Sequence, residues 1–323
     1  MPDKLPPGQP PAAAQPPAFK LPLKQLLLVL GLAATVYAAA LLLWGKSPGL
    51  ALEPLWSWTG LQAASLCLVN YGLRGWRWRL WMAHYGRHFG VLQGLRLYLA
   101  GYAFTPTPGN VGEAVRGLML AQQPLGARQS LAIFGAERLA DLLCLLLLCL
   151  PALAWAYQRG LAQVAPGWLV GVLAAGLALG TLLLGLLIRF RQEMSQRLGW
   201  LRQAWDCLAV RPLLWFALTL AAWAAQGLAV WLICRHGGVA LDMLTAAGVY
   251  AVAMVAGALS ALPAGLGGTE AVLTGLLVAH GALPGVAVGI TVLVRLLTLW
   301  LAVAIGLLAL LYSAAIAREI SFR

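Results

Sequence analysis

Apolar residues run together in long blocks along this chain. Apolar stretches long enough to cross a bilayer recur at 25–44, 55–73, 131–157, 167–188, 213–234 and 285–312. Each is close to or above the roughly 20 residues an α-helix needs to cross a bilayer. Two further apolar stretches, 92–128 and 245–283, are interrupted by Pro and Gly. The pattern predicts an all-α polytopic membrane protein with six full spans and two re-entrant helix pairs.

Composition strengthens this picture. Of 323 residues, 61% are hydrophobic and 10% charged, with a mean hydropathy of +0.82. A soluble domain carries roughly 25% charged residues, so this chain lacks the polar surface to cover a water-soluble globule. Residues 1–24 are rich in Pro and Ala, with prolines at 6, 7, 10, 11, 16 and 17. They read as a disordered or polyproline-like tail that buries no core. The apolar run that follows is too long for a signal peptide and reads as a retained first helix. The membrane domain then covers 25–312, with a short tail at 313–323.

The net charge of +12 does not point to nucleic acid, because the 22 basic residues are spread through short connectors. They sort by side instead. Lys4, Lys20, Lys24, Arg74, Arg77, Arg79, Arg87, Arg96, Arg189, Arg191, Arg197, Arg202, Arg211, Arg318 and Arg323 fall on one face, against Lys46, Arg159 and Arg235 on the other. That asymmetry places both termini in the cytoplasm. Keeping it requires 92–128 to re-enter from the cytoplasm and 245–283 from outside. Irregular backbone survives at membrane depth only where protein or a watery cavity covers it. The two interrupted stretches therefore mark the expected functional cavity. Arginine and tryptophan interleave between Arg74 and Trp81, which suits an interfacial helix on an anionic inner leaflet. Simple anchoring is the plainer role for it.

The interrupted stretches resemble each other. One runs Pro108-Gly109-Asn110-Val111-Gly112-Glu113-Ala114-Val115; the other runs Pro263-Ala264-Gly265-Leu266-Gly267-Gly268-Thr269-Glu270-Ala271-Val272. Glu113 lies 25 residues before Arg138, and Glu270 lies 25 before Arg295. The same offset of 157 carries the span at 55–73 onto 212–230. Two halves, about 25–157 and 167–312, would each hold three crossings and one re-entrant pair, so the second is inverted. Inverted repeats with broken helices are a recurring plan of secondary transporters, with the substrate held near the midplane.

Charge inside a bilayer costs several kcal/mol unless paired or hydrated, roughly 2.5 to 3.5 at a helix centre on insertion scales. This chain places Glu113, Arg116, Glu137, Arg138, Asp141, Glu270 and Arg295 in or near the membrane. Four acids against three bases suit mutual pairing around a cavity. The lipid-headgroup reading assigns Arg116, Arg138 and Arg295 to a phosphate, since guanidinium forks match phosphate oxygens. The helix starts after Gly109–Gly112 and Gly265–Gly268 would add free N–H groups. Glu113, Glu137, Asp141 and Glu270 are coupling sites or partners in structural ion pairs. Glu113–Arg138 and Glu270–Arg295 would then staple each re-entrant loop to its neighbouring helix. Asn70, Asn110, Gln226 and Tyr250 line a cavity or cap a helix.

Nothing suggests a metal or a cofactor. The five cysteines form no CxxC pair and the count is odd, so they read as small packing residues. His84 and His88 are four apart but have no third ligand.

The run Arg77-Trp78-Arg79-Leu80, the Pro108–Arg116 segment, Glu137-Arg138-Leu139-Ala140-Asp141 and Leu262–Glu270 together resemble the flippase-like transmembrane domain of the lysylphosphatidylglycerol synthases. The likeness covers about 25–312. It implies movement of a lipid headgroup between leaflets of an inner membrane, with the buried charges above as the site. The soluble aminoacyltransferase part is not in this sequence, so the transfer chemistry does not carry over and the lipid is open. Two other readings stand beside a flippase or scramblase for an anionic phospholipid or lipid-linked precursor. One is an accessory subunit for a lipid-biosynthesis or glycosyltransferase enzyme. The other is a membrane-embedded lipid-modifying enzyme, against which the chain has no HExxH, P-loop or nucleophile constellation.

Overall fold

The computed structural model describes residues 53–107, 113–114, 116–117, 125–158, 199–260 and 262–321, together with 31, 35, 185 and 189. The proline-rich tail, most of the stretches at 25–44 and 167–188, and the break residues Pro108, Gly109, Asn110 and Gly112 lie outside the described residues.

Every described element is helical. After a 3-10 turn at Glu53–Trp56, α1 spans Trp58–His84. It starts where Ser57 accepts the Gly60 N–H at 3.2 Å, an N-cap that satisfies one of the orphan donors of the first turn. Helix α2 (Val91–Ala100) runs on into a 3-10 turn at Gly101–Phe104. Then come α3 (Ala127–Gln158), α4 (Gly199–Ala209) and α5 (Pro212–His236). Pro212 stands at the first turn of α5, where its missing N–H costs nothing. Helix α6 (Met243–Leu259) ends at a break containing a 3-10 turn, Pro263–Gly265, and α7 (Gly268–Ala279) begins beyond it. Helix α8 (Pro284–Arg295) passes through a π-turn, Leu296–Trp300, into α9 (Leu301–Ser321).

Among the described residues three segments are long and apolar enough to cross a membrane: Ala127–Gln158, Pro212–His236 and Pro284–Ser313. They sit on the stretches expected at 131–157, 213–234 and 285–312. The stretch 245–283 takes the expected helix–break–helix form.

Helix α1 packs on α5, α3 on α6 and α4, α6 on α7, and α9 on α2 with its following turn. Their shared core holds Trp78, Trp81, Tyr98, Tyr250, Leu273 and Leu277. Close approach needs missing side chains: a methyl on Gly227 of α5 would come within 2.8 Å of the Ala247 backbone of α6. Leu68, Leu150, Leu308 and Leu311 stay exposed on the outer faces, as expected where lipid replaces water.

The segment Arg74–Trp81 corrects one expectation. It is not a separate interfacial helix but the last part of α1. Residues 74, 77, 78 and 81 follow the i, i+3, i+4, i+7 spacing of one helix face, and all four are buried. Trp76, on the opposite face, is exposed.

Outside the spans, Asp242 caps α6 by accepting the Leu244 and Thr245 N–H groups at 3.0 and 2.9 Å. The hydrogen bonds from Thr245, then Leu244, hold its carboxyl below the ordinary value of 3.8. A depressed folded value means the cap stabilises at neutral pH and is lost as pH falls below the ordinary carboxylate range. Asp242→Ala is expected to cost about 1 kcal/mol at pH 7. Thermal unfolding of both proteins should converge once the pH is acid enough to protonate Asp242.

Candidate functional site

Two helices and the chain around Glu113–Arg116 bring seven buried or half-buried charges together. One turn of α3 carries Glu137, Arg138 and Asp141. The second half of α1 adds Arg74 and Arg77, and the chain beyond the first break adds Glu113 and Arg116.

Asp141 is the hub. Its Oδ2 accepts from Arg74 at 2.7 Å and faces Arg138 at 3.3 Å. Its Oδ1 accepts from Arg77 at 2.7 Å and from the Trp223 indole at 3.2 Å. Glu137 pairs with Arg116 at 3.0 Å and lies 3.8 Å from Arg77. Glu113 binds Arg116 at 2.5 Å and Arg138 at 3.4 Å, and accepts the Thr105 hydroxyl at 2.9 Å. The Ser130 hydroxyl donates to the Ala114 carbonyl and ties the break to α3.

The second break is built more simply. Arg295 donates from Nε to Glu270 at 2.7 Å and from Nη2 to the Ala264 carbonyl at 2.8 Å. Glu270 in turn accepts the Gly267 N–H at 2.7 Å. The backbone turns through positive φ at Ala264 (53°), Gly265 (66°) and Gly267 (86°), the left-handed region that glycine enters freely and alanine does not. Directly after Arg295 the π-turn presents misaligned carbonyls, and the Tyr71 hydroxyl donates to that of Leu297 at 2.9 Å. Single π-turns inside α-helices are frequent at functional sites.

Beside the second break lies a small cavity, partly open to its surroundings. Glu113 and Arg138 border it from the first break, and Ala264 and Arg295 from the second. Arg74, Tyr71, Tyr102, Trp223, Gln226, Tyr250 and Thr298 are also among its lining residues. The Arg138 side chain is 30% exposed, while Arg74, Arg77, Arg116 and Arg295 lie between 0% and 9%. Arg138 is thus the guanidinium most open to an occupant.

Each site residue read from the sequence can be placed. Glu113, Arg138 and Arg295 line the cavity, and Glu270 holds Arg295. Glu137 and Asp141 sit behind them in the ion network. Arg116 does not line this cavity. Its stem crosses Gly101, its guanidinium lies 4.4 Å over the Tyr98 ring, and it borders a smaller gap with Glu113, Glu137 and Ser130. Pro263, Gly265, Gly267 and Gly268 form the second break. Gln226 and Tyr250 do line the cavity, while Asn70 instead donates to the Ala222 carbonyl at 2.8 Å.

The near-balance of four acids and three bases changes sign. Arg74 and Arg77 join the network, so five guanidiniums face four carboxylates among the described residues. Sequence reasoning had placed both with the cytoplasmic charges. The signal was their spacing on one helical face with Trp78 and Trp81. Among the described residues no cluster of His, Cys, Asp and Glu is fit to hold a metal ion.

Compared with known protein families, residues 28–306 match the lysylphosphatidylglycerol synthase TM region. The chain belongs to that family. No curated protein and no solved structure matches it. Membership makes this a membrane domain of a family in lipid metabolism. The family match covers the nine paired charges described above, from Arg74 to Arg295.

Proposed function

We propose that this domain moves the headgroup of an anionic lipid, a phospholipid or a lipid-linked precursor, between leaflets as a flippase or scramblase. The carrying observation is the cavity bordered at once by Arg138 and Arg295, around which five guanidiniums face four carboxylates among the described residues. Guanidiniums match phosphate oxygens, and a headgroup crossing hydrocarbon needs such a partner because uncompensated charge there is costly.

In this reading six spans and two re-entrant pairs form halves at about 25–157 and 167–312, inverted relative to each other. Supporting it, two breaks with the same Glu-to-Arg spacing of 25 residues converge on one cavity. The domain sits in an inner membrane with both termini cytoplasmic, acts by translocation rather than catalysis, and has membrane lipids as its partners. A lipid-biosynthesis or glycosyltransferase enzyme would supply the lipid.

The test uses purified protein in vesicles containing acyl-labelled fluorescent phosphatidylglycerol. An impermeant reductant bleaches only the outer leaflet of protein-free vesicles. With protein, the bleached share is expected to rise toward the whole lipid pool. A share that stays at the protein-free level for phosphatidylglycerol and for a polyprenyl phosphate would overturn the proposal.

A further inference from the structure

We infer that the headgroup this cavity selects is anionic at one end and uncharged and hydroxylated at the other, and that a headgroup carrying an ammonium is disfavoured. The inference rests on the translocation reading and adds the substrate class to it.

Charge decides the first half. The cavity lining holds three guanidiniums, Arg74, Arg138 and Arg295, against a single carboxylate, Glu113. That carboxylate is already committed to Arg116, Arg138 and the Thr105 hydroxyl. Of the carboxylates behind the wall, Asp141 serves three arginines, Glu137 serves two, and Glu270 serves Arg295 and the Gly267 N–H. An ammonium donates only and needs an anion. Among the described residues it finds none uncommitted, and it meets surplus positive charge in a setting that screens poorly.

The neutral part of the wall decides the second half. Gln226 accepts the Tyr250 hydroxyl at 3.2 Å through its side-chain oxygen. Its amide nitrogen has no protein partner among the described residues, so it is a donor offered to the cavity. Across the space, the Tyr71 hydroxyl has given its proton to the Leu297 carbonyl, and the Thr298 hydroxyl has given its own to Val294. Each keeps an oxygen that accepts. A wall with an amide donor and hydroxyl acceptors matches ligand hydroxyls, which donate and accept at once. Bare phosphate, which only accepts, leaves those acceptors idle.

The experiment compares three acyl-labelled lipids of matched chains in vesicles bearing the full chain: phosphatidylglycerol, phosphatidic acid, and phosphatidylglycerol carrying a lysyl group. Phosphatidylglycerol is expected to exchange fastest, with the lysyl form at least about tenfold slower, a difference of roughly 1.4 kcal/mol. Gln226→Leu is expected to lower the ratio of phosphatidylglycerol to phosphatidic acid exchange about tenfold, as loss of one buried polar partner predicts. That ratio is internal to each preparation, so loss of folded protein cancels from it. Equal rates for lysyl and unmodified phosphatidylglycerol overturn the substrate class and leave translocation standing. A ratio unmoved by Gln226→Leu overturns the hydroxyl subsite. Exchange of none of the three overturns translocation itself, and the inference with it.

Discussion

Asp141→Asn is expected to lose about 3 to 5 kcal/mol of stability, the range for removing one partner from a buried ion pair. The shape is kept and only the charge goes. Asp141 is the shared acceptor of Arg74, Arg77 and Arg138, and its Oδ1 also takes the Trp223 N–H. Without its charge, five guanidiniums would face three carboxylates, with Arg77 fully buried. Arg77 would keep the Thr219 hydroxyl at 2.9 Å and the distant Glu137 at 3.8 Å, neither of which replaces a 2.7 Å ion pair. Thermal unfolding in detergent should show a markedly lower midpoint, or too little folded protein to measure. A midpoint within a degree or two of wild type would mean that the network does not hold α1 to α3.

The second large effect comes from a residue with no charge. Gly101→Ala is expected to destabilise by about 3 kcal/mol, combining overpacking with displaced buried charge. The added methyl would overlap the Nε and Cγ atoms of Arg116, whose side chain crosses this glycine. That arginine has nowhere to go: it is packed over Tyr98 and clamped between Glu113 and Glu137. Moving it would strip Glu113 of its shortest partner. Gly72 is the control, because a methyl there meets nothing within 4 Å. Gly72→Ala in the middle of α1 is expected to be neutral or to stabilise by up to about 1 kcal/mol. Opposite signs for two Gly→Ala changes would tie the cost to the Arg116 contact rather than to glycine loss in general.

Much of the fold was legible because each crossing needs its own run of apolar residues. Ala127–Gln158, Pro212–His236 and Pro284–Ser313 announce themselves by length alone. The second break was legible through Pro263 and the glycines at 265, 267 and 268, of which Gly265 and Gly267 take positive φ. Its staple was legible as the repeated Glu-to-Arg spacing, and Arg295 does bind Glu270.

Arg74 and Arg77 were harder to place, for a physical reason. Arginines at the end of an apolar run normally mark the cytoplasmic boundary, and hydropathy cannot tell a boundary from a buried pair. Only Asp141, 64 residues beyond Arg77, decides which it is. Arg116 presented the opposite difficulty. Its neighbourhood was evident, but its direction depends on the gap left at Gly101, which no spacing rule reveals. The aromatic wall of Tyr71, Tyr102 and Trp223 comes from two different helices and the turn after α2, so no local motif encodes it.

The central claim is that Arg138 offers the lipid its most accessible charge in the cavity. The direct test is leaflet exchange of acyl-labelled phosphatidylglycerol by the Arg138→Gln protein, read alongside its thermal unfolding. Arg138 is 30% exposed, and Glu113 and Asp141 keep other arginines when it is lost, so the protein should fold. Exchange about tenfold or more below wild type, at a near-normal unfolding midpoint, is the predicted result. Exchange at the wild-type rate by a normally folded Arg138→Gln protein would contradict the account.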